Sequence, residues 1–104
     1  LTRPAATVSA KQEAFRLFRD GASIEAVVRA TGRAPSTVVS YLEDYIAAER
    51  PASLAAWVDD VTYKRVEQAA RRLQGSFLRP VYDALGGSTS FDAIRLVMKH
   101  CGLR

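Results

Sequence analysis

The stretch FRLFRDGASIEAVVRATGRAPSTVVSYLEDYI, residues 15–46, decides the fold. Its apolar residues recur at helical spacing in three segments, which Gly21 and a tight turn at residues 31–34 separate. Gly32 suits that turn because glycine tolerates a positive φ. The pattern predicts a helix-turn-helix, in which the small Ala26 and Ala30 let the second and third helices approach closely. The apolar side chains expected to lock these two helices together are Val27, Val38 and Leu42.

Polar residues mark the ends of the three helices. Ser9, followed three residues later by Gln12, fits a capping box at the start of the first helix. Ser23 is expected to begin the second helix. Pro35 falls in the first turn of the third helix, where its missing N–H costs little, and that helix should end before Pro51.

The second half of the chain repeats these signals in shorter segments. We expect Ser53 to cap a brief helix and Thr62 to cap the next one. The apolar side chains of these two helices that should face inward are Leu54, Trp57, Val58, Val66, Ala69, Ala70 and Leu73. Gly75–Ser76 then breaks the chain, and the following helix either begins near Pro80 or is kinked there.

The last helix follows a loop at residues 86–89, with Ser90 as its cap and Gly102 as its end. The inward-facing residues of the last two helices should be Phe77, Leu78, Val81, Tyr82, Leu85, Phe91, Ile94, Val97, Met98 and Cys101. The expected fold is all-α, with an N-terminal trihelical helix-turn-helix followed by three or four packed helices in one compact domain. Its expected parts are a flexible segment at residues 1–8, the helix-turn-helix unit at 9–50 and an accessory helical half at 51–104 packed on it.

Composition favours a soluble globular protein with an anionic partner. Of the 104 residues 48% are hydrophobic and 25% charged, and no apolar run approaches the ~20 residues that cross a bilayer. Lys plus Arg number 15 against 11 for Asp plus Glu, which gives a net charge of +4. A basic balance of this kind favours a polyanion such as nucleic acid. Because the lone Cys101 requires no oxidising compartment, we expect a cytoplasmic protein without membrane contact.

The start of the third helix is the first candidate DNA-binding surface. In a helix-turn-helix this helix can enter the major groove and present its N-terminal residues to phosphates and base edges. The residues placed near this start are Arg29, Arg33, Pro35, Ser36, Thr37, Ser40 and, as a further candidate, Val39. Because the helix start carries no Arg, Lys, Asn or Gln, we expect it to hold the DNA backbone rather than read sequence. In the alternative interpretation Ser36 and Thr37 only satisfy the helix start, and the unit is a scaffold or a protein contact.

A second candidate surface lies in the more basic half of the chain. Residues 51–104 carry 8 basic against 5 acidic residues, whereas residues 1–50 carry 7 against 6. The basic residues that helical spacing gathers on one side are Lys64, Arg65, Arg71 and Arg72, and Arg79, Arg95 and Lys99 extend them. This face is expected to follow phosphates in a salt-sensitive manner, and the alternative is an ordinary solvated face.

The sequence shows no pattern that indicates an enzyme. The Gly86–Thr89 segment follows a helix and lacks the Lys of a phosphate-binding loop, so we expect a connector. His100 and Cys101 have no second His or Cys with which to form a metal or thiol site, which favours a surface His beside a core Cys. Trp57 and Phe77 lie among apolar neighbours and are expected in the core rather than as base-stacking platforms. No catalytic, cofactor-binding or metal-ligating residue is predicted.

Several segments carry a resemblance to a known family. They are FRLFRDGASIEAV at 15–27, APSTV at 34–38, Tyr41–Leu42, LRPVYDAL at 78–85 and SFDAIRLVM at 90–98. Together they resemble the helix-turn-helix domain found at the C-terminus of RecQ-type DNA helicases, over nearly the whole chain after about residue 10. The segments around Pro80 and at residues 94–97 are the more discriminating ones.

The resemblance implies a non-catalytic accessory module that helps a DNA helicase engage DNA or a partner in DNA repair, while ATP hydrolysis happens elsewhere. The start at Leu1 rather than Met fits a piece of a longer or processed protein. Where the family often has charge at exposed positions of the third helix, this chain has Val39 and Ser40. Two rivals stay open: a protein-interaction module that docks a helicase core or a repair partner, and a sequence-specific transcription regulator, which is typically dimeric.

Overall fold

The computed structural model of the protein describes residues 9–74 and 77–103, so the predicted flexible segment 1–8 and the predicted break at Gly75–Ser76 lie outside the described residues. All regular structure in the described part is helical, which confirms the all-α class. The six helices are α1 (Ala10–Arg19), α2 (Ile24–Thr31), α3 (Pro35–Glu49), α4 (Asp60–Leu73), α5 (Leu78–Ala84) and α6 (Phe91–His100). The chain forms two compact units, the first ending at Tyr45 and the second beginning at Ile46.

Local hydrogen bonds begin and end the helices of the first unit where the sequence predicts. The Ser9 hydroxyl accepts from the Gln12 N–H at 3.1 Å, and the Gln12 side chain accepts from the Ser9 N–H at 3.0 Å, which confirms the capping box. The Ser23 hydroxyl caps α2 by accepting from the Ala26 N–H at 3.1 Å. Gly32 ends α2 with a φ of 69°, a left-handed conformation that glycine adopts without a Cβ penalty.

Aromatic rings form the contact between α1 and α3. The Tyr45 ring lies 5.5 Å from that of Phe15 and 5.7 Å from that of Phe18, and Phe18 is fully buried. An ion pair of 2.9 Å between Lys11 and Asp44 lies at the exposed margin of this contact. The side chains predicted to lock the second and third helices together are all fully buried, namely Val27, Val38 and Leu42. Ala30 is exposed, so the expectation that it allows close helix approach is wrong.

The second unit packs α4 against α5 and α6, and α5 against α6. Its core consists of the apolar faces of these helices: Val66, Ala69, Ala70, Val81, Ile94, Leu96, Val97 and Met98. Asp59 caps α4 through a 3.1 Å bond from the Thr62 N–H, so the prediction that Thr62 is the cap is wrong by three residues. Ser90 caps α6 as predicted, through a 3.1 Å bond from the Ala93 N–H.

Two further expectations for the second unit are wrong. The brief helix predicted after Ser53 is a single hydrogen-bonded turn, in which the Leu54 carbonyl accepts from Trp57 and Val58 N–H groups at 2.8 Å. Leu73, predicted to face inward, is 42% exposed at the end of α4.

Pro80 is the third residue of α5. The first turn of a helix tolerates proline because its N–H would be unpaired there, so α5 begins just before Pro80 and needs no kink. Within the described residues, no helix combines the length and the apolar character that crossing a membrane requires.

Candidate nucleic-acid interface

The turn between α2 and α3 is an exposed corner of the first unit. Gly32 reverses the chain, and the three residues 32–34 separate the helices before Pro35 begins α3. The predicted DNA-facing residues that are exposed here are Arg29, Arg33, Pro35, Ser36 and Ser40, and Thr37 is half-buried. No acidic side chain of the described residues pairs with either arginine. The structure therefore brings to the turn that precedes α3 two cations that have no acidic partner in the described part of the chain.

The first turn of α3 presents backbone donors at the same corner. The first hydrogen bond of the helix runs from the Val38 N–H to the Ala34 carbonyl at 3.0 Å. The Ser36 and Thr37 amides precede it and have no carbonyl partner within α3. Such amides, together with the positive end of the helix dipole, favour an anion such as phosphate.

Val39 does not belong to this surface. Its side chain is 2% exposed and part of the core, so its inclusion among the DNA-facing candidates is wrong. Adjacent residues of a helix point about 100° apart, which leaves Ser40 exposed while Val39 faces inward. The exposed start of α3 thus carries hydroxyl groups and a proline, and no side chain that forms bidentate bonds with a base.

The predicted basic face of α4 separates into two stripes. Lys64 pairs with Asp60 at 3.1 Å, and Arg71 pairs with Glu67 at 3.0 Å. The hydrogen bond with Glu67 also raises the pKa of Arg71 above its ordinary value. Both pairs are exposed, so their energies are small. They nevertheless place acidic groups beside two of the four α4 cations that the sequence assigned to DNA.

Arg65 and Arg72 form the other stripe. Both are exposed, and no acidic side chain of the described residues pairs with them. They lie seven residues apart on one side of the helix, which corresponds to a rise of about 10.5 Å. Gln68 lies between them on the same side and is also exposed. The sequence could not separate these two stripes because it does not show which rotamers form ion pairs.

The proposed extension of this face is only partly exposed. Arg79 is exposed and forms a 3.1 Å pair with Asp83, whereas Arg95 and Lys99 are half-buried.

Phe77, which we expected in the core from its apolar neighbours in sequence, is 76% exposed, so that expectation is wrong. Trp57, by contrast, is half-buried.

A hydrogen-bonded network in the second unit was missed by sequence reasoning. The His100 Nε2 lies 2.7 Å from the Pro51 carbonyl, and its Nδ1 lies 2.6 Å from the Tyr63 hydroxyl. Because a carbonyl only accepts, Nε2 donates to Pro51, and in the neutral ring Nδ1 accepts from Tyr63. The Cys101 Sγ lies 3.4 Å from the same hydroxyl.

This network changes the interpretation of two residues. His100 and Cys101 are both half-buried, so the expectation of a surface His beside a core Cys is wrong. Burial and the bond with Cys101 raise the pKa of Tyr63, which stays a neutral phenol. The partners of His100 lie 37 and 49 residues away in sequence, so no local pattern could have revealed them.

Comparison with known proteins agrees with the geometry of the first unit and extends beyond it. A family model described as a helix-turn-helix domain matches residues 10–98, which run from the start of α1 to near the end of α6. No curated protein and no solved structure matches the chain. Since the family model matches well over half of the 104 residues, the chain belongs to this helix-turn-helix domain family.

Proposed function

We propose that the chain is a non-catalytic accessory module of a larger RecQ-like DNA helicase, and that it binds DNA weakly and mainly through the phosphate backbone. The observation that carries this proposal is the exposed α2–α3 turn. There, Arg29 and Arg33 lack acidic partners among the described residues, next to the unbonded first-turn amides of α3. Cations and helix-start amides are the groups that proteins commonly use to position a duplex.

The exposed side chains at the start of α3 favour backbone contact over sequence reading. Discrimination between bases needs bidentate partners such as Arg to guanine or Asn to adenine. Pro35, Ser36 and Ser40 offer none of these, and Val39 is buried. The proposal therefore expects similar affinities for unrelated duplex sequences, in contrast to a sequence-specific regulator.

The helicase context rests on the resemblance of five segments, at residues 15–27, 34–38, 41–42, 78–85 and 90–98, to the C-terminal domain of RecQ-type enzymes. ATP hydrolysis would then belong to another part of a cytoplasmic parent protein. Deleting residues 9–103 from the full-length protein should weaken its DNA binding while ATP hydrolysis by the remainder persists. A parent protein without ATPase activity would contradict this context.

Fluorescence anisotropy with labelled duplex DNA at about 50 mM and about 200 mM salt tests the turn. Replacing both Arg29 and Arg33 with Gln should weaken binding and lower the log–log salt slope by up to about 0.9 for each lost phosphate contact. Arg16→Gln is the matched control, because that guanidinium is held by Glu13 at 2.6 Å in the same unit. No binding by the unmodified chain at low salt would reject DNA binding and favour a protein-docking module.

The two stripes of α4 allow a second comparison in the same assay. Arg65→Gln combined with Arg72→Gln should lower the salt slope more than Lys64→Gln combined with Arg71→Gln, because the second pair of cations already has acidic partners. Equal effects of the two double variants would show that ion pairing does not decide which cations meet phosphate. If neither double variant alters the slope, α4 plays no part in binding.

A further inference from the structure

The start of α5 exposes a large aromatic ring. Phe77 immediately precedes α5, contributes no side-chain cap to that helix and is 76% exposed. No ring of the described residues contacts it. The aromatic side chains nearby in the same unit behave differently, since Tyr82 and Phe91 stack on each other with centroids 4.1 Å apart and planes 9° apart.

Phe77 contributes little to the fold. The buried residue of α5 is Val81, and a side chain that keeps three quarters of its surface in water gains only a small part of the free energy of burial. Leu73, at the end of α4, adds further exposed apolar surface at 42%. We use the name α4–α5 corner for four exposed residues that lie at the end of α4 and around the start of α5: Arg72, Leu73, Phe77 and Arg79.

The charge of the α4–α5 corner is positive. No Asp or Glu occurs between residues 68 and 82 of the sequence. Arg72 is exposed and lacks an acidic partner among the described residues. Arg79 pairs with Asp83, but both side chains are mostly exposed, and such a pair is readily exchanged for another anion. A suitable ligand would therefore combine a flat apolar ring with negative charge.

We propose that the α4–α5 corner binds single-stranded DNA, with an unpaired base stacked on Phe77 and the flanking phosphates held by Arg72 and Arg79. This inference rests on the proposed DNA-binding function and deepens it by specifying the form of DNA. Bases inside a duplex are already stacked on their neighbours, whereas an unpaired base offers a free face to an aromatic side chain. The module consequently prefers single-stranded or forked DNA to duplex DNA.

Binding of labelled oligo-dT and of a duplex of equal length to the 104-residue chain tests the proposal. Phe77→Ala should weaken binding of oligo-dT by about 5- to 150-fold, which corresponds to the loss of one stacked base, and leave duplex binding unchanged. Its salt slope should not change, because no charge is removed. Arg72→Gln should instead lower the slope for oligo-dT by about 0.7.

Two control variants make the test specific. Val61→Ala removes another apolar side chain that is 67% exposed on α4 but has no ring, and it should leave both affinities unchanged. Phe77→Trp preserves a stacking face and should retain the affinity for oligo-dT. Circular dichroism of each variant shows that the helices are intact.

The outcomes separate this inference from the proposed function. If the unmodified chain binds duplex DNA but Phe77→Ala does not weaken its binding of oligo-dT, the stacking role is overturned and the DNA-binding function stands. If Phe77→Ala lowers the affinities for oligo-dT and for duplex DNA equally, the stacking role is overturned as well. Dimers in sedimentation that disappear in Phe77→Ala identify a second copy of the chain as the ligand of the corner instead. Absence of binding to either DNA rejects the function as well.

Discussion

The hydrogen bonds that set helix ends in the first unit and those around His100 in the second unit differ in sequence range. In the first unit, Ser9, Ser23 and Gly32 set helix ends through bonds that reach only three or four residues. In the second unit, His100 joins parts of the chain 37 and 49 residues apart, and Phe77 is left outside the core. The difference teaches that local patterns suffice to set the helix ends of the first unit, whereas the network around His100 depends on partners that only folding brings together.

The same substitution at one phenylalanine of each unit should give the largest contrast in stability. Phe18→Ala empties a fully buried site beside Tyr45 and should lower the free energy of unfolding by about 3–5 kcal/mol. Phe77→Ala, at a 76% exposed site, should change it by less than about 0.5 kcal/mol. Urea denaturation followed by circular dichroism measures both. Similar losses for the two variants would mean that Phe77 is a core residue after all.

Removal of the imidazole should have the next largest effect. His100→Ala removes the imidazole that bonds both the Pro51 carbonyl and the Tyr63 hydroxyl, which should cost about 1–3 kcal/mol of stability. A double-mutant cycle with Tyr63→Phe isolates the bond between the two side chains. Strictly additive losses in that cycle would refute the bond.

The glycines at helix ends test whether a positive φ has the same energetic cost in both units. Gly32→Ala should cost about 1–2 kcal/mol, because its φ of 69° is unfavourable for a residue with a Cβ, while no atom of the described residues beyond its chain neighbours lies within 4 Å of the added carbon. Gly102→Ala, with a φ of 78° and equally open surroundings, should cost a similar amount. Gly32→Asn should lose less, since Asn tolerates this conformation. Thermal denaturation of the three variants checks the order, and no loss in either alanine variant would contradict it.

Alkaline pH should produce the smallest effect, in part through Tyr63 of the second unit. Burial, the bond with Cys101 and the charge of Glu67 raise the pKa of Tyr63, while Arg71 opposes this shift. The folded chain then keeps a proton that the unfolded chain loses near pH 10, so unfolding releases a proton and stability falls as the pH rises above about 10. Comparing denaturation midpoints at about pH 8 and about pH 11 should show a smaller decrease for Tyr63→Phe than for the unmodified chain. A decrease of the same size in both would assign the alkaline loss to other groups.

Much of the fold was predictable because helix boundaries depend on short-range chemistry. The capping box at Ser9, the left-handed end at Gly32 and the start of α5 just before Pro80 all follow from neighbouring residues. The cap of α4 is Asp59 rather than Thr62. Both side chains can accept a hydrogen bond from an N–H at a helix start, and the two residues are only three positions apart, so the sequence did not show which of them is the cap.

The candidate site was less predictable. Helical spacing identified the basic residues of α4, but the pairing of Lys64 with Asp60 and of Arg71 with Glu67 depends on side-chain conformations. The exposure of Phe77 depends on how α4 and α5 pack, since its apolar neighbours in sequence are equally compatible with a buried ring. Val39 was misplaced for a related reason, because its position in the sequence did not show which side of α3 faces the core.

Because both ring nitrogens of His100 form hydrogen bonds, this side chain offers a way to follow the protein in solution. His100 is the only histidine in the chain, so its ring signals in an NMR spectrum need no assignment experiment. Since one nitrogen reports on the Pro51 carbonyl and the other on the Tyr63 hydroxyl, a single pair of resonances records whether the segment after α3, the start of α4 and the end of α6 are assembled. Adding DNA to a sample labelled only at this residue would therefore reveal whether binding disturbs the interior of the second unit.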